Sequence, residues 1–138
     1  MKTAGIYIHI PFCKNKCIYC DYYSLEKQEK DIPRFVEMLL REIELTTNEQ
    51  DMGWLFDTIY LGGGSPALLS PSEVNDILDK LTHHFNLSEN IEMTLEVNPE
   101  EITKENLFSF KELGVNRISI GFQSLDPELL KTLSRTHT

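Results

Sequence analysis

The residues best suited to chemistry are the cysteines, and all three fall within eight positions, spaced Cys13-x3-Cys17-x2-Cys20. Three thiolates on one short loop can hold three irons of a four-iron cluster, which leaves the fourth iron without a protein ligand. An open position of that kind lets a substrate or cofactor bind the metal directly. Lys14 and Lys16 lie between the cysteines, where their charge would favour thiolates. Two other readings stay open: a Cys3His zinc site using His9, and three buried cysteines without a metal. Disulfides rank lower, because the cysteine count is odd and the opening MKTAGIYIHIPFC is not a secretory leader. Its apolar stretch is short, is broken by His9 and lacks a small-residue cleavage site. Reduced thiols and no export signal place the chain in the cytoplasm.

Other residue types add options. Gly62, Gly63 and Gly64, followed by Ser65, either let backbone approach a ligand closely or make a plain tight turn. Glu96 can accept hydrogen bonds from an ammonium or a ribose, or pair with Arg117. Gln123 offers both a donor and an acceptor. Arg135 can clamp a carboxylate in bidentate fashion, although its spacing alone reads as a solvated helix position. Tyr7 reads as barrel packing, and Trp54 as core or interface. His83 and His84 are adjacent on a helix, so they cannot converge on one metal, and they suit a helix C-terminus. His137 carries no reading.

These residues need elements to position them. GIYIHI at 5–10, DTIYL at 57–61, 91–97 and RISIGFQ at 117–123 alternate as strands. Between them, Phe35, Met38, Leu39 and Ile43 recur at helical spacing, with Asp31 or Ile32 as cap and Pro33 in the first turn. Ser70-Pro71-Ser72-Glu73 is a capping box opening a helix with Val74, Ile77, Leu78, Leu81 and Phe85 on one face. Thr103 caps a third helix, carrying Leu107, Phe110 and Leu113, which stops at Gly114. Asp126-Pro127 starts a fourth, with Leu129, Leu130 and Leu133. The order βαβαβαβα predicts parallel strands with helices outside, a barrel or open barrel. Its alternation turns Tyr7, His9, Thr58, Tyr60, Thr94, Glu96, Arg117, Ser119 and Gln123 inward. A barrel packed only for stability prefers branched aliphatics there, so this interior reads as lined to hold something polar. The cysteine loop then sits at the C-terminal end of the first strand, where α/β barrels assemble their chemistry. Four strands cannot close a barrel, so residues 1–138 read as the N-terminal part of a longer protein.

A formal charge of -9 argues against nucleic acid as a partner, since a phosphate backbone would be repelled. No segment approaches a membrane span. A small bound ligand is the better expectation.

The cysteine spacing after a first strand, with Tyr19 before the last cysteine, resembles the signature of the radical S-adenosylmethionine superfamily. YIHIPFC, CDYYS, IYLGGGSPALL, TLEVNPEE and GVNRISIGFQSLDPELLKTLSRTH narrow the likeness to the group of oxygen-independent coproporphyrinogen III dehydrogenases and heme chaperones. The resemblance implies an α/β fold, the first four βα units of a partial (β/α)6 TIM-like barrel. It implies a [4Fe-4S] cluster on Cys13, Cys17 and Cys20 whose open iron is chelated by S-adenosylmethionine. In that superfamily an electron from the cluster cleaves the cofactor to a 5'-deoxyadenosyl radical. It also implies that Gly62, Gly63, Gly64 and Ser65 bind the methionyl amino group, that Glu96 and Gln123 bind the cofactor, and that Arg135 lies near its carboxylate. Tyr7 would lie close to the cofactor, and Tyr19 would pack near the adenine. The implied partners are a heme or porphyrin ligand, a heme-acceptor protein and an electron donor. Within the group, dehydrogenases usually carry a fourth cysteine where this chain has Tyr22, and an N-terminal extension where this chain reaches its strand at Gly5. Both departures point to the heme chaperone, with oxidative decarboxylation of coproporphyrinogen as the alternative.

Overall fold

The computed structural model describes residues 2–46 and 53–137. Four strands, β1 (Lys2–Ile10), β4 (Trp54–Gly63), β5 (Leu87–Val97) and β6 (Arg117–Ile120), form one sheet in the order β1-β4-β5-β6, and every pairing is parallel. Between them run the helices α1 (Ile32–Thr46), α2 (Pro71–His84) and α3 (Lys104–Glu112), and α4 (Pro127–Thr132) follows β6. Sequence-consecutive parallel neighbours joined by helices are the open-barrel arrangement that the alternation predicts. A second, two-residue pairing joins β2 (Phe12–Cys13) to β3 (Leu25–Glu26), and so ties the two ends of the cysteine loop together.

The core lies between the sheet and its helices. Ile8 and Ile10 of β1, Ile59 and Leu61 of β4, and Leu95 and Val97 of β5 are buried against Val74, Ile77, Leu78 and Leu81 of α2 and Phe110 of α3. Burying one such side chain stabilises the fold by about 1.5–3 kcal/mol before chain entropy is counted. Helix starts follow the local chemistry. The Ser70 backbone N–H donates to Glu73 Oε2 (2.7 Å), and the Glu73 N–H donates to Ser70 Oγ (3.3 Å). Thr103 and Asn106 make the reciprocal pair that opens α3, and Asp126 accepts from the Glu128 N–H (2.9 Å) to open α4.

Several expectations need correction. β1, β4 and β5 are longer than their alternating segments, but the fourth strand ends at Ile120 instead of residue 123. Gln123 therefore lies beyond the strand, in the left-handed region (φ 62°). The helical stripe of α1 is Ile32, Phe35, Val36, Leu39, Leu40 and Ile43, and Met38 is exposed. Ile118, Ile120 and Phe122 were expected under helices, yet they stay part-exposed because β6 is the last strand and has no neighbour on its far side.

Candidate metal and cofactor site

The C-terminal ends of the four strands converge on one cavity of about 320 Å³. β1 leads into the cysteine loop, and Cys13, Cys17 and Cys20 all line the cavity as half-buried free thiols. The loop is held at its base by Lys27 N–H donating to Cys13 O (2.9 Å), and its tip turns where Cys20 N–H donates to Cys17 O (3.0 Å). The Cys13 thiol is pushed up from its ordinary value, chiefly by burial; a hydrogen bond with Ser24 opposes this, while Cys20, Glu101 and Cys17 add to it. Left without a metal, that environment favours the neutral thiol.

β4 delivers the glycines. Gly62 and Gly63 are the last two residues of the strand, not members of a tight turn. Close approach explains why the side chain is absent. A Cβ on Gly64 would lie 2.5 Å from Phe12 O and 2.9 Å from Cys13 Sγ, and one on Gly62 would lie 2.8 Å from the Tyr60 ring and 3.1 Å from Glu96 Oε2. Gly64 N–H donates to Ile10 O (2.8 Å), which locks the strand end against the start of the loop. Ser65 is brought to the same end but turned away from the cavity. It is buried, and its hydroxyl donates to Glu101 Oε1 (2.7 Å).

β5 contributes Glu96, whose carboxylate accepts from the Tyr60 hydroxyl (2.6 Å) and from Gly63 N–H (3.2 Å). The alternative, an ion pair of Glu96 with Arg117, is not formed; Arg117 pairs with Glu92 (2.9 Å), and both side chains are exposed. The Tyr60 phenol is raised above its ordinary value by the hydrogen bond to Glu96, then by burial and the Glu96 charge. Tyr7 is also raised, by burial first and then by Glu96 and Tyr22.

Arg135 is the largest departure from its sequence-only reading. It follows α4, yet its guanidinium reaches back so that Nη1 lies 3.3 Å from Cys17 Sγ and Nη2 donates to Asn98 Oδ1 (2.8 Å) and to Gly121 O. Burial works against its charge, but the contact with Cys17 and the charges of Cys17, Glu100 and Tyr19 more than offset this and leave its pKa raised. Lys16 contributes less than its spacing suggests, because its ammonium turns to Tyr22 O (3.4 Å).

Tyr19, Gly64, Glu96, Gln123 and Arg135 line the cavity beside the cysteines, while Tyr7, Gly62, Gly63 and Ser65 do not. Asn98 and Tyr60 are the residues whose contacts sequence reasoning missed. Asn98 had a signal, since Asn-Pro-Glu-Glu is a turn opening on a capping residue. His137, for which the sequence offered no reading, donates from Nε2 to Phe122 O (3.1 Å) and steadies the segment carrying Gln123.

The donor set can be tested against the three metal readings. His9 cannot serve as a fourth zinc ligand as it stands. Its Nε2–H donates to Tyr23 O (2.8 Å), so Nδ1 is the acceptor of the Tyr7 hydroxyl (3.0 Å) and both nitrogens are engaged. Among the described residues, no three His, Cys, Asp or Glu side chains gather tightly enough for a single ion. Three free thiols around one shared cavity, with a guanidinium at one of them, fit a cluster in which each sulfur meets a different iron. Residues 7–138 match the radical SAM superfamily.

The chain belongs to that superfamily. Membership implies S-adenosylmethionine and a [4Fe-4S] cluster. The chain is 37% identical, over 99% of its length and 36% of the relative's, to the heme chaperone HemW of Escherichia coli strain K12. It matches that of Buchnera aphidicola subsp. Acyrthosiphon pisum with the same identity and coverage. It is also 36% identical, over 98% of its length, to the mitochondrial radical S-adenosyl methionine domain-containing protein 1 of Danio rerio, covering 30% of that protein. Its fold superposes on coproporphyrinogen III oxidase (HemN) from Escherichia coli with a TM-score of 0.90 at 25% identity, across 99% of this chain and 31% of that one. The chain thus spans about a third of the length of the curated relatives it matches. No helix among the described residues is long and apolar enough to cross a membrane.

Proposed function

We propose that residues 1–138 are the N-terminal part of the radical SAM core of a heme chaperone, which binds heme and passes it to an acceptor protein in the cytoplasm. The observation that carries this reading is the identity to HemW proteins across 99% of the chain. Tyr22 supports it, because it lines the cavity where coproporphyrinogen dehydrogenases usually place a further cysteine. Cys13, Cys17 and Cys20 would hold the cluster, which would supply an electron drawn from an external donor. Gly64 lies on the rim that would receive the methionyl amino end of S-adenosylmethionine; Gly62 and Gly63 lead the strand to it, and Ser65 is held off the cavity by Glu101. Glu96 and Gln123 offer acceptors and a donor to its polar atoms, Arg135 meets its carboxylate, and the Tyr19 ring covers the adenine.

A second reading is kept by the superposition on HemN: oxidative decarboxylation of two propionate side chains of coproporphyrinogen III. Product analysis separates the two. The anaerobically reconstituted parent protein is incubated with coproporphyrinogen III, S-adenosylmethionine and a reductant. A chaperone gives no protoporphyrinogen while binding heme and releasing it to an acceptor. Protoporphyrinogen at catalytic levels overturns the proposal.

A further inference from the structure

The guanidinium of Arg135 is aimed by a part-buried polar chain that begins at Glu101. Glu101 anchors it: its carboxylate accepts from Ser65 Oγ (2.7 Å), from the Asn98 backbone N–H (3.3 Å) and from Asn98 Nδ2 (3.1 Å). Asn98 Nδ2 also donates to Ser65 Oγ (2.7 Å). With both acceptors on its nitrogen side, the amide has one orientation. Its Oδ1 must face Arg135 Nη2, 2.8 Å away. A flipped amide would set donor against donor at the guanidinium and acceptor against acceptor at Glu101.

The chemistry of the middle link matters as much as its geometry. A carboxylate at position 98 would still accept from the guanidinium, but it would neutralise it and would lose the donations to Ser65 and Glu101. An amide oxygen holds it and leaves its positive charge directed at Cys17 Sγ, 3.3 Å from Nη1. The negative charge of Glu101 is meanwhile spent on Ser65 and Asn98, one residue removed from the cation. We propose that Asn98 is the positioning residue for Arg135, a neutral adaptor that fixes the guanidinium while preserving its charge for the cysteine loop and for an anionic ligand. The part concerning the ligand rests on the functional reading above; the positioning itself does not.

Three measurements test this. In the unloaded protein, 15N resonances of the Arg135 guanidinium report its rotation: wild type and Asn98→Asp should show it restrained, Asn98→Ala freely averaging. In cluster-loaded protein, the affinity for S-adenosylmethionine, read by equilibrium dialysis, should fall roughly ten- to a hundredfold in Asn98→Ala, the worth of one charge-assisted hydrogen bond. It should fall in Asn98→Asp too, although the guanidinium stays ordered. The cluster midpoint, followed by EPR during redox titration, should move to more negative potential in both variants as positive charge at Cys17 is lost. Glu101→Gln, a milder change, should show partial averaging and a loss of a few fold. If Asn98→Ala leaves the guanidinium as restrained as in wild type, the positioning role is refuted. If Asn98→Asp holds the cofactor as tightly as wild type, the neutrality argument is refuted. Wild-type protein that takes up no cluster would sink the functional reading, and the guanidinium resonances would still decide the positioning role.

Discussion

Replacing Gly64 by alanine should separate a cysteine loop that rests on β4 from one that merely lies near it. The added Cβ would sit 2.5 Å from Phe12 O and 2.9 Å from Cys13 Sγ. The nearer neighbour is backbone, and Phe12 is 2% exposed and paired with Leu25 at the base of the loop. Relief therefore requires the backbone of the loop to move, which costs about 1–3 kcal/mol as overpacking. A penalty of ~2 kcal/mol depopulates the native loop by a factor of roughly 30. The assay is iron bound per chain after anaerobic reconstitution, paired with a urea midpoint for the metal-free protein. Gly64→Ala should lose most of its iron and unfold at lower urea. Gly53→Ala, where an added Cβ meets nothing within 4 Å, should change neither. If Gly64→Ala loads iron like wild type at an unchanged midpoint, the reasoning from close approach is wrong.

Glu96→Gln should lower the Tyr60 phenol towards its ordinary value of 10.0, because the hydrogen bond to the carboxylate is the main cause of its elevation. The sign for stability follows. A phenol whose folded pKa is raised contributes stability that is fully present below pH 10.0 and lost as pH rises through the folded value. Wild type should thus lose more stability than Glu96→Gln between neutral and strongly alkaline pH, and an equal loss in urea titrations would count against the Tyr60–Glu96 bond. Ser134→Gly should stabilise the chain by about 1 kcal/mol, because Ser134 holds φ at 57°, where a Cβ is strained. No rise in the urea midpoint would refute that.

Much of the architecture was legible because it rests on local chemistry. Ser70, Thr103 and Asp126 cap their helices where the sequence places them, and the alternation of β1, β4 and β5 sorts core from cavity. The cysteine loop was legible for the same reason, since its three thiols lie close in sequence. What stayed hidden depends on backbone directions that residue type does not announce. The fourth strand ends at Ile120 and the left-handed Gln123 turns the chain away, although RISIGFQ alternates to its last residue.

Arg135 shows the same limit at the site itself. α3 ends in a Schellman motif, with Gly114 N–H donating to Lys111 O and Val115 N–H donating to Phe110 O, and its glycine gives it away. α4 ends in the same motif: Ser134 N–H donates to Lys131 O and Arg135 N–H donates to Leu130 O, but serine occupies the left-handed position. Helical spacing therefore extends on paper through a residue where the chain has already reversed. That reversal sends the next side chain across to Asn98 and Cys17 instead of into solvent. The strain at Ser134 and the charge placed at Cys17 are linked, since a helix that continued one more turn would leave the cysteine loop without its nearest cation.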